Sequence, residues 1–555
     1  MRLHSKGRAA IRPNGCCRHP FRTFARVTQV KVDTKEFSVK RTSKFAALIA
    51  ALVAGTLIIA PGAAADPVSG QGKGGPKGND KVLLGYAADT WASLDAMTDT
   101  TTGLPADKLQ GDLSSPSDNT SPTNIGGYIW STISARDLGL ISADDAFNRL
   151  KTTLTTLETI ERHEPSGMYF NWYSPLDGHK LTEWPGSGDP VDPFLSTVDN
   201  GWLAAAFRVL AEAEPRLAAP ANTLYDSMNF GYFHDLNAKP GVGLNRGGFW
   251  VTPPPGCSVP GNYGGDETPV YYTCHWYDTS VSEARIATYL GIAKGEIPAK
   301  AYYGTLRTMP EQGCDYSWQE QKPTGMTREY LGVPVYEGVY AYRGMSIVPA
   351  WGGSMFEALM PDLFVPESKW GSTSWAINHP ATVRAQKEHG LQEAGYGYWG
   401  FSPASDPFGE YAEYGVEGLG MSSDGYASDR ERTNVDVGYD GCREATNAAP
   451  IFGDGVVTPH ASFLALAYDK PGVLKNLAGI KNDLKAYGPG GFYDAVATKS
   501  GTIADRYLSL DQSMIMAAIM NDLKKDRLKD YFVDQDFETA IRPLVGAQIF
   551  GSSLG

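Results

Sequence analysis

The segment STVDNGWLAAAFRVL (residues 196–210) opens on Ser196, Thr197, Asp199 and Asn200 and then turns apolar around the whole helix its spacing describes. Short hydroxyl, carboxyl and amide side chains bond the unpaired N–H groups of a first turn, so the polar cluster reads as a helix start. A helix apolar on every face is a buried one. The same design recurs five times. It is seen in TSPTNIGGYIWSTISARDLG from Thr120, DTSVSEARIATYLGIAKG from Asp278, WGGSMFEALMPDL from Trp351, VVTPHASFLALAY from Val456 and LSLDQSMIMAAIMNDL from Leu508.

Amphipathic helices with charged faces alternate with these: DKVLLGYAADTWASLDAM, ADDAFNRLKTTLTTLETIER, PANTLYDSMNF, PAKAYYGTL, NHPATVRAQKEHGLQE and GVLKNLAGIKNDLKAY. Six buried and six amphipathic helices in alternation predict an all-α fold, an (α/α)6 toroid of inner and outer helices. Its rival is an irregular two-lobed all-α domain. Long Gly- and aromatic-rich stretches at 164–195, 240–275 and 312–345 are expected to be loops over one mouth. The polar starts of the inner helices would converge at one end, where their unpaired N–H groups and dipoles favour carboxylates and hydroxylated ligands.

The chain has 555 residues, with 49 Lys and Arg against 62 Asp and Glu. Lys40, Arg41 and Lys44 precede a 16-residue apolar run, 45–60, followed by PGAAAD. This order is that of a signal peptide cleaved after Ala65, with residues 1–38 an upstream extension of the reading frame. Residues 66–79 read as a flexible linker, and 80–555 as a single catalytic domain. The first 65 residues hold 12 of the basic and 2 of the acidic groups, which leaves 37 against 60, a net of −23. Such a surface repels nucleic acid and anionic membranes. A secreted monomer acting on a neutral substrate, with no stable membrane insertion, is the expectation.

Cys257, Cys274, Cys314 and Cys442 follow the predicted cleavage point. Four cysteines allow three pairings; Cys257–Cys274, closing a Gly/Pro-rich loop, with Cys314–Cys442 is favoured. A zinc site of four thiolates is the rival, but no C-x-x-C pair is present. Asp424, Asp429, Asp436 and Asp440 lack the spacing of an EF-hand. The glycines of YGPGGFYD precede no phosphate-loop Lys-Ser/Thr, and no G-x-S-x-G elbow occurs. No metal or cofactor is expected.

Two acids stand out. Glu283 lies in Ser280-Val-Ser-Glu283, a capping-box pattern, but follows the aromatic run Tyr271, Tyr272, His275, Trp276 and Tyr277. Asp511 in LSLDQS stands at a helix start, where the dipole would lower its pKa and suit it to act as a base. Paired carboxyls in one aromatic cleft are what glycoside hydrolysis requires. Asp199 and Asp406 are further acids suited to bonding sugar hydroxyls. Trp172, Tyr173, Trp184, Trp276, Trp351, Trp399, Tyr411 and Tyr414 would line the cleft as sugar-stacking rings or as plugs over the core.

The ordered series TSPTNIGGYIWSTISARDLG, STVDNGWL, SEARIATYLGIAKGEIP, WGGSMFEALMP, YGYWGFSPASD, DGVVTPHASFLAL, GPGGFYDAV and LSLDQSMIMAAI resembles that of the glycoamylase-like carbohydrate-active proteins. Within that group it is similar to the endo-β-1,2-glucanases of glycoside hydrolase family 144 and to the transglycosylation domain of cyclic β-1,2-glucan synthases. The resemblance spans about residues 80–548. It implies an (α/α)6 toroid with Glu283 as general acid and Asp511 as candidate general base. The family motif I-D-Q-G-P reads LDQSM here. The synthase motif W-G-I-S-E-S reads WGFSPAS, with Pro403 in place of the nucleophilic Glu, so inversion is favoured unless Asp406 substitutes.

The leading expectation is therefore a secreted glycoside hydrolase cleaving a neutral glucan or oligosaccharide, β-1,2-linked by resemblance. Asn124, Asp199, Trp351, Glu357, Asp406 and His460 would shape the subsites. A polysaccharide lyase, which would need uronic-acid substrates, and a non-catalytic sugar-binding toroid are the alternatives.

Overall fold

In a computed structural model the structure describes residues 78–239, 241–309, 321–422, 426–439 and 441–554. The proposed leader and most of the proposed linker lie outside them. The fold is mostly helical. Its α-helices are α1 (Gly78–Ala96), α2 (Pro122–Leu138), α3 (Ala143–Thr159), α4 (Thr197–Ala213), α5 (Ala218–Ser227), α6 (Arg285–Ala293) and α7 (Met355–Leu359). They continue with α8 (Glu367–Trp370), α9 (Trp375–Glu388), α10 (Pro459–Leu464), α11 (Leu466–Asn482), α12 (Ser509–Lys524), α13 (Arg527–Phe532) and α14 (Gln535–Ala547). Helix α1 starts two residues before the expected domain boundary.

The six polar-start segments are α2, α4, α6, α7, α10 and α12; 15 of the 17 residues of α2, 11 of the 17 of α4 and 12 of the 16 of α12 are buried. Helix α2 packs between α4 and α12; α4 also meets α6, and α10 meets both α12 and α7. The link between α6 and α7 is Arg285, whose Nη1 donates to the Glu357 carbonyl (2.9 Å) and Nη2 to that of Ala358 (2.7 Å). At the centre, Trp130 of α2 and Trp202 of α4 both pack on Phe364, with ring centroids 5.0 and 5.6 Å from it. Trp130 Nε1 donates to the Ser513 carbonyl of α12 at 3.0 Å. The amphipathic helices cover this set: α1 lies on α12 and α2, α3 on α2, α5 on α4, α14 on α6, α9 on α7, and α11 on α10 and α12.

Two expectations are corrected. PAKAYYGTL forms only a 3-10 turn, Ala299–Tyr303, while α13 and α14 are further helices. The all-α reading also misses small antiparallel sheets within the predicted loops. Strands Phe194–Ser196, Gly248–Trp250, Val270–Thr273 and Ser258–Gly261 form one, and Thr324–Tyr330, Val333–Tyr342 and Met345–Ile347 another. The hairpin between Tyr330 and Val333 turns at Leu331 (φ 51°) and Gly332 (φ 77°). Two successive positive φ values make the tight reversal that suits twisted strands. Leucine there hides the usual Asn-Gly signal. The Cys257–Cys274 disulfide is formed and staples the first sheet. Cys442 is also disulfide-bonded, and Cys314 lies outside the described residues.

Candidate active site

Six buried helices start with polar clusters, but only three use them as caps. Ser121 Oγ accepts the Asn124 N–H at α2, Ser196 Oγ that of Asp199 at α4, and Ser354 Oγ that of Glu357 at α7. At α6, α10 and α12 the N-cap residue makes no side-chain cap bond. Those three starts carry Glu283, His460 and Asp511. A cap contributes about 1 kcal/mol, so the polar groups there are held for something other than the helix.

The capping-box reading of Glu283 is overturned. Glu283 lies in the turn before α6, where its carboxylate accepts only a 3.2 Å bond from Ser282 Oγ among the hydrogen bonds of the described residues. The real box is Ser354 with Glu357. Glu357 is buried, and its carboxylate accepts the N–H groups of Trp351, Gly352 and Ser354 and the Ser354 hydroxyl. It therefore shapes the 351–354 loop. Burial and the nearby Glu283 push Glu357 up to about 7 against those donors. Burial raises Glu283 as well, helped by the charge of Asp199 and opposed by Ser282 and Arg285. The Tyr277 and Tyr426 hydroxyls, both raised by burial, also feel the Glu283 charge.

Asp511 is not the dipole-lowered acid the sequence predicts. Burial and the adjacent carboxyl of Asp494 hold it well above the carboxylate range, and Asp107 adds to this. Nor does it face an imidazolium. His460 Nδ1 lies 3.1 Å from Asp511 Oδ2, but burial pushes that histidine down to about 3, so the ring is neutral. Asp494 and Asp107 are site residues the sequence reading missed. Asp494 was visible in GPGGFYDAV as the one acid of an otherwise apolar and glycine-rich stretch. It is buried and accepts the Ser405 N–H at 2.6 Å. Asp107 accepts a 2.8 Å bond from Asn124 Nδ2, so Asn124 faces this cluster.

The two acid groups are linked through shared neighbours. Asp199, fixed by Thr123 Oγ1 at 2.7 Å, is felt by both Glu283 and Asp107, and Asp107 by Asp511. On the other side Tyr426 feels Glu283 and Tyr411, and Tyr411 feels Asp511. Tyr411 as a residue is 51% exposed, and burial together with the Asp511 charge raises its hydroxyl.

Trp276 is half-buried, its ring under the Arg246 guanidinium (4.2 Å) and its Nε1 3.3 Å from Asp235 Oδ2. Half-buried Trp172 packs edge-on against Trp184 at 5.1 Å, and Trp351 is half-buried beside the α7 box. Asp406 accepts from Tyr414 Oη (3.1 Å) and the Phe408 N–H. Trp399 corrects an expectation: it is 2% exposed, its backbone locked by Asn476, so its ring offers no face to a sugar. Tyr173 and Tyr414, at 0% and 1%, are core residues for the same reason.

Two clusters among the described residues have the ligand types and spacing that could hold a metal ion, each with its atoms within 4.8 Å: His460, Asp494, Asp511 and Asp362, Glu367, His379. Glu367 is already bound by Arg285, Tyr289 and His379. Asp429 and Asp436, from the acid-rich stretch, serve the backbone of Thr433 and Gly453 and the Arg443 side chain; Asp424 and Asp440 lie outside the described residues.

Comparison with known proteins agrees with this architecture. Residues 327–535 match a family described as "Putative glucoamylase", and residues 85–232 match a family of unknown function. The chain is 25% identical over 270 residues to the cyclic β-(1,2)-glucan synthase NdvB of Rhizobium meliloti, a match covering 46% of this chain. It spans only 7% of that relative's length. Among solved structures, an endo-β-1,2-glucanase from Chitinophaga pinensis superposes with a TM-score of 0.58 at 16% identity, covering 84% of this chain and 98% of the other. An endo-β-1,2-glucanase from Talaromyces funiculosus bound to sophorose gives 0.53 at 12%, covering 83% and 90%. At these identities the likeness is one of fold.

Proposed function

We propose that the protein is an anomer-inverting glycoside hydrolase of a neutral glucan, with β-1,2-linked glucan the first substrate to test. The observation that carries this is Glu283: a desolvated carboxyl at an uncapped helix start, electrostatically linked through Asp199 and Asp107 to the second acid group around Asp511. A buried, protonated Glu283 can donate to the departing glycosidic oxygen. Asp511 would take the proton of the attacking water, directly or through a substrate hydroxyl. Asp199 and Asn124 would bond sugar hydroxyls, and Trp276, Trp172 and Tyr411 would form the walls. The glucanases and the synthase fragment similar to this chain favour a β-1,2 linkage.

The architecture is read as an (α/α)6 toroid. The neighbour order α2, α4, α6, α7, α10, α12 and back to α2, with amphipathic helices outside, supports it. Export with cleavage after Ala65 and a monomeric state belong to the same reading. Mass spectrometry of protein recovered from the growth medium tests both the leader and its cleavage point.

Incubation with β-1,2-glucan should release new reducing ends, with the α-anomer appearing first by proton NMR. First appearance of the β-anomer would refute inversion. Oligosaccharide binding without new ends would favour the binding-only alternative.

A further inference from the structure

Three buried side chains meet at one point from three places in the chain. His460 comes from the start of α10, Asp511 from the start of α12, and Asp494 from the link between the short strands Gly491–Phe492 and Ala495–Ala497. They are 1%, 4% and 2% exposed, and one ring nitrogen and one oxygen from each aspartate lie within 4.8 Å of one another. Polar atoms at this depth are ordinarily hydrogen-bonded. Here both His460 nitrogens, Asp494 Oδ1 and Asp511 Oδ2 have no hydrogen-bond partner among the described residues. His460 Nδ1 and Asp511 Oδ2 stand 3.1 Å apart, yet no hydrogen bond joins them.

The second buried cluster provides the contrast. Glu367 is held by Arg285, Tyr289 and His379, and Asp362 Oδ2 receives Tyr468 Oη at 2.7 Å and Lys529 Nζ at 3.4 Å. The protein's own cations meet its charge. At the first cluster no Lys or Arg among the described residues forms an ion pair with Asp494 or Asp511, and Arg506 acts on Asp494 only from further off. Half-buried Asp107 adds a further negative charge.

We propose that His460, Asp494 and Asp511 form a binding site for one divalent transition-metal ion of the Zn²⁺ class. Zn²⁺ holds imidazole nitrogen and carboxylate oxygen at about 2.0–2.2 Å, so two ligands stand about 3.4 Å apart at a tetrahedral angle and about 3.0 Å at a right angle. The 3.1 Å between His460 Nδ1 and Asp511 Oδ2 falls between these values. An imidazole ligand disfavours Mg²⁺ and Ca²⁺, which select oxygen. Asp494 is steadied on its other oxygen by the Ser405 N–H at 2.6 Å, the kind of outer bond that orients a ligand. The site stands apart from the hydrolase reading, but its consequence rests on that reading. An Asp511 oxygen engaged by the ion cannot take a proton from water, so the loaded protein is the silent form of the proposed hydrolase.

Calorimetry of the chelator-treated full chain with ZnCl₂, MgCl₂ and CaCl₂ tests the site. Zn²⁺ should bind at least about 100-fold more tightly than the other two. Losing an outer partner costs about 10- to 100-fold in metal affinity, so His460→Ala should cost one Zn²⁺ at least about 100-fold. No preference for Zn²⁺, or unchanged binding in His460→Ala, overturns the site. If that variant fails to fold, the unaltered protein decides. Loaded with Co²⁺, it should show one strongly shifted exchangeable imidazole proton by NMR, and its absence overturns histidine ligation. Hydrolysis of β-1,2-glucan should fall at least about 100-fold at saturating Zn²⁺, the size of a lost general base, and return with chelator. Unchanged or raised turnover overturns the silencing. Zn²⁺ binding with no hydrolysis of any glucan, chelator or not, keeps the site and rejects the function proposed for Asp511.

Discussion

Arg285 and Glu367 meet in a two-pronged buried ion pair, Nε to Oε1 at 2.6 Å and Nη2 to Oε2 at 2.8 Å. Arg285 is two residues from Glu283, and its remaining donors tie α6 to Ser282 and to α7. Burial pushes Glu367 up, but Arg285 and His379 pull it further down, to about 2. Removing one partner of such a pair strands the other. Glu367→Gln should therefore cost about 3–5 kcal/mol in denaturant unfolding. A glutamate lowered on folding stabilises above its unfolded pKa, and that contribution fades as pH falls through its folded value. The wild type should lose about 3 kcal/mol on titration from roughly pH 4.5 to about 2, and the variant much less.

Glu283→Gln keeps the shape of the side chain and deletes the donated proton. Turnover of a glucan substrate should fall about 100- to 10,000-fold. The melting temperature should hold and oligosaccharide binding by calorimetry should persist. Near-normal turnover would remove Glu283 from the acid role.

The charge of Asp199 helps hold the proton on Glu283. In Asp199→Asn the Glu283 pKa falls, so the alkaline limb of kcat/KM should move to lower pH. The acid limb, set by the other cluster, should move less. A limb that stays put would mean that Asp199 serves the substrate alone.

Trp276 is clamped from behind. Arg246 covers one face of its ring, Asp235 takes its indole N–H, and Arg246 Nη1 bonds the carbonyls of Thr273 and Cys274 next to the disulfide. Trp276→Ala should raise KM about tenfold, equal to about 1.4 kcal/mol of binding, with kcat within about twofold. Reduction of Cys257–Cys274 should raise KM in the wild type and add little in the variant.

What the sequence revealed depended on whether the signal was local. Six polar starts followed by apolar runs were legible because burial and capping leave a pattern within one turn. The assignment of the caps was not. Ser280-Val-Ser-Glu283 and Ser354-Met-Phe-Glu357 have the same S-x-x-E spelling, yet only the second forms the box. It follows Gly353, whose φ of 78° turns the chain into the helix, whereas Arg285 anchors the first sequence to another helix. Asp494 and Asp107 escaped notice because short strands between helices bring them to Asp511, and no periodicity marks such a meeting. The Leu331-Gly332 hairpin escaped for want of its customary turn residues.

The uncapped starts of α6, α10 and α12 set a limit on engineering. A designer seeking heat resistance would first repair those ends, for example with Leu508→Ser ahead of α12, and gain up to about 1 kcal/mol at each. Those edits would place new hydroxyls and carboxylates against the first turns that carry Glu283, His460 and Asp511. Durability in this protein is better sought at the outer helices, and tolerance maps of substitutions should divide along that line.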